Sequence, residues 1–163
     1  MIKLEAGIKR SPSIWGDTET SDQEFDWDHK GRTEISHIYI SHDFCIRNIQ
    51  FQYVEENGFL SKLSPMPLKN SYGQSFNVQV KLAYPDEFLK GISGWWNANV
   101  NSLTFTTNRD TYGPFGRKKK EDDEFNFQTG DEPLFSGFHG SNDASGLRTI
   151  GIYVNPEHAS LSK

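Results

Sequence analysis

The chain has 163 residues, of which 13% are aromatic, with 14 glycines, a single cysteine and a formal net charge of −5. This length suits one domain with a buried core, and one cysteine permits no internal disulfide. The acidic balance argues against a nucleic-acid partner or an anionic membrane, and no segment reaches the roughly 20 apolar residues of a membrane helix.

The amino terminus and the cysteine both point to an intracellular protein. Residues 1–5 lack the apolar stretch of a signal peptide, and the sequence contains no Asn-x-Ser/Thr glycosylation acceptor. A cytoplasmic protein is therefore expected. Cys45 lies in the apolar triplet Phe44-Cys45-Ile46, which predicts a buried and unreactive thiol.

The first half of the chain predicts short strands. Residues 2–5 suit a first strand, whereas residues 9–34 are polar and rich in turn residues, which predicts a long N-terminal loop or an irregular pair of strands. Alternating apolar and polar residues, the period of a half-buried strand, then mark three segments: 35–40, 46–54 and 76–82. We expect a turn at Ser41-His42-Asp43 and a loop over residues 65–73.

The second half continues the same pattern and contains no helical periodicity. Strands are predicted over residues 88–96, 102–107, 111–112, 125–127, 134–138 and 147–154. Asn108-Arg109-Asp110 supplies a hairpin turn, and Gly113-Pro114-Phe115-Gly116 is expected to break the strand that follows. Roughly ten or eleven short strands in a chain of this size are typical of an all-β barrel, sandwich or prism.

Motifs of catalysis and metal binding are absent from the sequence. The five histidines lack the His-Glu-x-x-His spacing, and there is no Gly-x-Ser-x-Gly elbow, phosphate-binding glycine loop or Cys/His pair. We therefore expect no enzyme activity, no cofactor and no metal. The basic run of residues 117–120 meets the acidic run of residues 121–124, which predicts a solvated loop whose charges cancel.

Small and polar residues are densest between Gly137 and Gly146. A loop there would bring backbone N–H groups, an Asn amide and an Asp carboxylate to one point, a mixture that suits sugar hydroxyls. The alternative is a long polar turn without a ligand. Trp95 and Trp96 are adjacent on a predicted strand and must face opposite ways, so one belongs to the core and only the other could stack on a sugar ring.

Several stretches together resemble the jacalin-related lectins of plants. Tyr84 to Gly94 is similar to a strand of that family that ends in Val/Ile-Ser-Gly, and Ser102 to Gly116 resembles the hairpin that follows it. The closing strands of the family resemble Gly137-Phe138-His139-Gly140, Gly146-Leu147 and residues 150–154, and Trp27-Asp28 with Gly31 matches an early Trp-Asp-x-Gly more weakly.

The resemblance implies the β-prism I fold, an all-β fold of three four-stranded Greek-key sheets around a pseudo-threefold axis. It implies a single jacalin-type domain over residues 1–156, followed by a C-terminal tail of residues 157–163. Sugar binding would lie in loops at one end of the prism. The N-terminal strand is expected to complete the sheet built by residues 134–154.

The chain departs from the family at the expected sugar site. Family lectins carry a Gly-x-x-x-Asp loop whose Asp accepts hydrogen bonds from sugar hydroxyls, but Ala144 and Arg148 stand at these two positions. The glycine-rich N-terminal loop is also replaced, by residues 6–12. Arginine is donor-only, so an acceptor is expected from Asp143 or Asn142. The predicted ligand-binding residues are Gly140, Ser141, Asn142, Asp143, Ser145 and Arg148.

The resemblance implies a carbohydrate-binding lectin in plant defence. A mannose/glucose-type preference is expected, since galactose-type members are cut to create a new N-terminal Gly and no matching site is visible. The loop also resembles intracellular members that restrict viruses. The alternative is a jacalin-fold protein-interaction module in antiviral or stress defence that has lost the usual sugar site. The partner is thus a carbohydrate or a protein, with no nucleic acid and no membrane, and a homo-oligomer is implied.

Overall fold

A computed structural model of the chain describes residues 2–3, 14–16, 25–29, 34–55, 57–62, 64, 78–130 and 135–154. Over these ranges the regular elements are all β-strands, and no helix in them is long and apolar enough to cross a membrane. The strands are β1 (Ile2–Lys3), β2 (Ile14–Gly16), β3 (Phe25–Asp28), β4 (Glu34–His42), β5 (Ile46–Val54), β6 (Val78–Lys81), β7 (Leu89–Trp96), β8 (Val100–Thr107), β9 (Thr111–Gly116), β10 (Asp123–Gln128), β11 (Phe135–Asp143) and β12 (Gly146–Val154).

The strands form three antiparallel sheets, and each sheet is built around its own central hairpin. The first sheet has the order β1-β12-β11-β3, with β2 also paired to β12; the second is β10-β7-β8-β9, and the third is β5-β4-β6. In the second sheet, β9 follows the hairpin β7–β8 on one side and β10 returns on the other, which is the Greek-key order. The first sheet repeats this order, and β1 completes it at Val154 as expected from the sequence.

The third sheet is completed by irregular edge residues, 60–62 and 64. The backbone N–H groups of Ser61 and Ser64 donate to the carbonyls of Tyr53 and Phe51, at 2.7 and 3.0 Å. The two serine hydroxyls accept in return from the N–H groups of the same β5 residues, each at 2.9 Å. Hydroxyls thus replace backbone carbonyls in this ladder, so the segment lines the sheet without being a regular strand. Within the described ranges the sheets therefore contain five, four and three regular strands rather than four each.

An aromatic contact joins all three sheets at the centre of the core. Phe51 of the third sheet stacks on Phe138 of the first, with centroids 4.3 Å apart and an interplanar angle of 8°. Phe105 of the second sheet meets the same ring edge-on at 6.4 Å. Such pairs contribute about 0.5–1.5 kcal/mol beyond the burial of their area. The period-two segments predict seven buried side chains: Ile49, Phe51, Val78, Leu103, Phe105, Ile150 and Ile152. All of them except Val78 are fully buried.

Three details differ from the sequence prediction. Val78 is only partly buried, because β6 is an edge strand that packs against the core from its margin. Strand β4 continues to His42, so the turn consists of residues 43–45. Strand β9 continues through Gly113–Gly116 instead of breaking there. It is an edge strand, where Pro114 removes no ladder hydrogen bond that a further strand would need.

The polar segment 137–146 is the largest correction. It was expected to be a long loop, but β11 and β12 leave only Ala144 and Ser145 between them. The side chains of Ser141, Asn142 and Asp143 are hydrogen-bonded inside the fold; the Ser141 hydroxyl lies 2.7 Å from the Thr149 hydroxyl across the hairpin. Within the range 9–34, β2 and β3 are strands. His29 follows β3, and Glu34 begins β4. Residues 9–13, 17–24 and 30–33, the loop 65–73 and the tail 157–163 lie outside the described residues.

Glu34, the first residue of β4, has a partly buried carboxyl group. It lies in a recess that is also lined by Ile35, Phe88, Leu89 and Phe135. Burial raises the pKa of Glu34 from 4.5 to about 7. The folded chain therefore binds this proton more tightly than the unfolded chain, and the free energy of unfolding falls as pH rises from 4.5 through 7.

We expect Glu34→Gln to stabilise the protein at pH 8 and to leave its stability at pH 4 unchanged. The gain is about 1–2 kcal/mol, since a partly solvated carboxyl realises only a part of its pKa shift as stability. Thermal unfolding at the two pH values measures it, with the exposed Glu121→Gln as the matched control. A gain of equal size at both pH values would show that the Glu34 carboxyl titrates in its ordinary range.

Candidate functional site

The central hairpins of the three sheets turn at the same end of the molecule. We call this the three-hairpin end, formed by the turns 43–45, 97–99 and 144–145. Side-chain contacts join the turns directly. The Arg47 guanidinium donates to the Ser145 carbonyl, and the Asn99 amide donates to the Asp143 carboxylate at 3.3 Å. The end therefore gathers polar groups from all three sheets.

Asp143 organises the turn between β11 and β12. Its Oδ1 accepts from the N–H groups of Ser145 and Gly146, at 2.8 and 3.2 Å, and from the Asn99 amide. Its Oδ2 accepts from Arg148 Nη1 at 3.3 Å. This is an Asx-type turn, in which the side chain replaces a backbone acceptor. Both carboxylate oxygens are thus in use within the protein.

Asp43 repeats the same device in the turn between β4 and β5. Its Oδ1 accepts from the Cys45 N–H at 3.2 Å and from Arg47 Nε at 3.0 Å. Burial acts to raise the pKa of Asp43, but the hydrogen bonds from Cys45 and Arg47 outweigh it and hold the pKa below its usual range. In both hairpins, an Asp caps its turn and pairs with an Arg of the following strand, consistent with the pseudo-threefold arrangement.

The two Asp-capped hairpins are packed closely together. Gly146 has φ +143°, and a Cβ at this position would lie 2.5 Å from the Ile46 carbonyl oxygen. Only glycine permits this approach. The Arg47 guanidinium also lies 4.9 Å from the centroid of the Phe44 ring, which is 51% exposed. Arg47 therefore connects both turns to the exposed aromatic ring at this end.

Asn142 joins the sheets beneath these turns. It is fully buried. Its Oδ1 accepts from Trp27 Nε1 at 3.0 Å, and its Nδ2 donates to the Arg47 carbonyl at 3.0 Å and to Asn48 Oδ1 at 3.3 Å. One amide thus links β11 to β3 in its own sheet and to β5 in the third sheet.

The predicted ligand-binding residues separate into two groups. Gly140, Ser141 and Asn142 lie within β11; a Cβ on Gly140 would meet the Trp27 ring at 2.8 Å. Asp143 and Arg148 reach the three-hairpin end with side chains 15% and 12% exposed, and Ser145 is exposed in the turn. Their role in binding stays a prediction.

Four further residues at this end were missed from the sequence. They are Asp43, Phe44, Arg47 and Asn99. A signal was present for two of them, because the chain repeats an Asp followed by an Arg at similar spacing, in Asp43–Arg47 and Asp143–Arg148. The repeated Asp-to-Arg spacing can be recognised as a shared feature only when the structure shows both segments on equivalent hairpins. Asn99 carried no signal of its own.

Two lysines of the loop 117–122 lie on aromatic rings beside the turns. Lys118 Nζ is 4.6 Å from the centroid of Trp95, and Lys119 Nζ is 5.5 Å from the centroid of Phe44. These are cation–π distances. Trp96 packs against the core, so the two tryptophans face opposite ways as predicted. We call Phe44, Trp95, Lys118 and Lys119 the cation–aromatic patch.

No group of three or more His, Cys, Asp or Glu side chains is arranged to hold a metal ion within the described ranges. Cys45 is buried, as expected from the sequence, and burial raises the pKa of its thiol. The chemistry of this end is therefore that of hydrogen bonds, cations and aromatic faces.

Known sequences match most of the chain. A sequence model of the family described as "Jacalin-like lectin domain" matches residues 13–153. "Protein RESTRICTED TEV MOVEMENT 1" of Arabidopsis thaliana is 41% identical over 130 residues, which cover 76% of this chain and 72% of that protein. "Jacalin-related lectin 2" of the same plant is 34% identical over 168 residues, with coverage of 94% and 89%.

Solved lectin structures match the fold. The artocarpin–mannopentose complex superposes with a TM-score of 0.72 at 30% identity, covering 88% of this chain and 95% of that one. A mannose-specific jacalin-related lectin from Morus nigra in complex with mannose gives a TM-score of 0.72 at 29% identity, covering 87% and 91%. The predicted β-prism fold is thereby confirmed.

We expect Asn142→Ala to lower the free energy of unfolding by about 2–4 kcal/mol, because it leaves three buried polar partners without their hydrogen bonds. The melting temperature should fall by roughly 5–12 °C in a chain of this size. Asn126→Ala, at an exposed position of β10, is the matched control and should change little. Equal melting temperatures for both variants would show that the Asn142 hydrogen bonds do not stabilise the fold.

Proposed function

Because the chain belongs to the family of jacalin-like lectin domains, we propose that it is a carbohydrate-binding lectin with a mannose/glucose-type preference that acts in plant defence. The single observation that carries the proposal is the convergence of three hairpin turns on one polar end. Solved relatives of the same fold include a mannopentose complex and a mannose complex. The proposal involves no catalytic step and no cofactor.

The proposed sugar site lies at the turn 144–145. Ser145 is exposed there, and the Asp143 carboxylate retains some access to solvent beside it. The half-exposed Phe44 ring offers an apolar surface on which the C–H face of a pyranose can pack. Directional polar groups next to one aromatic face are the usual composition of a sugar site.

The second candidate is a protein-interaction module without sugar binding. It is favoured by the Asp143–Arg148 ion pair, because the carboxylate nearest the usual acceptor position already has partners for both oxygens. The chain is 41% identical over 130 residues to "Protein RESTRICTED TEV MOVEMENT 1" and equally so to an Arabidopsis thaliana relative named as its inactive form. An antiviral role by protein contacts is the function we propose for this case.

We expect a homodimer at micromolar concentration with the same mass in the presence and absence of reductant. A single weak sugar site gains avidity by repetition, and the buried Cys45 thiol is unsuited to an intermolecular disulfide. Light scattering measures the mass. A strict monomer would remove the avidity argument, whereas a dimer lost only on reduction would show that Cys45 is accessible.

We expect Asp143→Ala to weaken binding of mannose-type oligosaccharides by about ten- to hundredfold. The substitution removes a charged acceptor, worth about 1.5–3 kcal/mol, and also the cap of the turn. Isothermal calorimetry measures the affinity, with a glycan array to choose the ligands and thermal unfolding to verify the fold.

The matched control is Asp110→Ala, which removes a carboxylate that caps the Thr111 N–H in a turn at the other end of β8. It should leave the affinity unchanged. Equal affinities of the wild type and Asp143→Ala would show that the sugar site does not lie at this turn. An absence of heat with every glycan would favour the protein-interaction module.

A further inference from the structure

The carboxylates of the three-hairpin end are engaged in holding its turns. Asp43 and Asp143 each use both oxygens within their own hairpins. Asp122, which is buried, accepts from the Asn101 amide with both oxygens and from the Lys119 N–H at 2.8 Å. These three carboxylates hold the turns, so only limited acceptor capacity is left for a ligand, chiefly at the partly exposed Asp143.

The cations of the patch are in the opposite situation. Lys118 and Lys119 contact the ring faces of Trp95 and Phe44, and within the described part of the chain neither forms an ion pair. An aromatic face satisfies part of the ammonium charge but accepts none of its three N–H bonds as a carboxylate would. The two ammonium groups therefore still suit a ligand that is rich in acceptors.

The loop that presents these lysines is fixed by hydrogen bonds on both sides. The Arg117 N–H donates to the Asn101 carbonyl at 2.9 Å, and the Asp122 N–H donates to the Lys119 carbonyl at 3.1 Å. With the Asp122 carboxylate on the Lys119 N–H, the backbone of the loop is held at its start and its end. A fixed loop loses little further entropy when a ligand binds.

Exposed acids next to the patch limit the kind of anion that fits. Glu121, Asp123 and Glu124 follow the lysines, and Glu124 lies opposite Trp95 in the β10–β7 register, hence on the same sheet face. A long polyanion would run over these carboxylates and be repelled. A ligand with one or two charged groups on a sugar chain can reach the lysines and avoid them.

We infer that the glycan preferred by this protein carries carboxylate or sulfate groups, bound by Lys118 and Lys119 while a neutral hexose of the same chain occupies the turn 144–145. The inference rests on the proposed lectin function and specifies its ligand class. Phe44 lies between the two halves of the site, since both Lys119 and Arg47 contact its ring.

The experiment compares three oligosaccharides of similar length by calorimetry on the full chain: mannopentaose, an oligogalacturonate and a sulfated galactan oligosaccharide. At low ionic strength, about 50 mM salt, at least one anionic glycan should bind about tenfold or more tightly than the neutral one. At about 0.5 M salt the advantage should fall to threefold or less, because exposed charges are screened over a few ångströms.

The double variant Lys118→Gln/Lys119→Gln should reduce the affinity for the anionic glycan by about ten- to hundredfold, with mannopentaose affinity within about twofold of wild type. The matched control is Lys62→Gln/Lys81→Gln, which removes two exposed lysines from other parts of the third sheet. It should change neither affinity. An equal loss in both double variants would show a general charge effect and overturn the site.

The outcomes separate the two proposals. Preference for mannopentaose at every salt concentration overturns the inference and leaves the lectin function standing. An absence of binding to all three glycans overturns both. Polyglutamate that competes as well as the anionic glycan overturns the inference, because charge alone then explains binding. The carboxylated and sulfated ligands distinguish the two possible sources of the negative charge.

Discussion

The buried amide of Asn142 is the interaction on which the functional end of this molecule depends. Each sheet of a three-sheet prism buries one face, and apolar contacts such as Phe51 on Phe138 drive that burial without fixing the relative register of the sheets. A buried amide is directional and costly to leave unsatisfied. Asn142 therefore fixes β11 against β3 and β5 at one height, which places the turns 43–45 and 144–145 side by side.

The close packing of these two turns explains why the carboxylates at this end stabilise the fold. Once the two hairpins are adjacent, Arg47 bonds the neighbouring turn and each Asp caps its own turn, so the acidic groups are used within the protein. Lys118 and Lys119 belong to a different loop, and their ammonium groups contact aromatic rings and solvent. In the proposed site, scaffold and ligand chemistry are thus carried by different residues, and a change in a loop such as 117–122 would change the ligand without changing the prism.

The sequence predicts this fold where local pattern and tertiary role agree, as in β4, where Ile38 and Ile40 are buried and Tyr39 between them is partly exposed. The prediction fails at residues 137–146, because small and polar residues buried in a strand pair have the same composition as a loop. The role of Asn142 could be read only from its three partners, which come from segments about 95 and 115 residues away. In the sequence, the pairing of Asp43 and Asp143 with arginines appears only as a similar Asp-to-Arg spacing. That this spacing marks an ion pair is recognised only once both segments are seen on equivalent hairpins.

The acidic net charge of the chain and its cationic patch act over different distances. The charge of −5 sets the potential far from the surface and disfavours approach of any polyanion, nucleic acid included. Beyond about 8 Å at physiological salt this potential is screened, so the groups within contact distance decide what stays bound. Lys118 and Lys119, each on an aromatic ring, dominate the field only there. At the proposed site a short glycan with few charges would meet the cations without spanning the acidic surroundings, whereas a long polyanion would meet both, so the same surface would favour the first over the second.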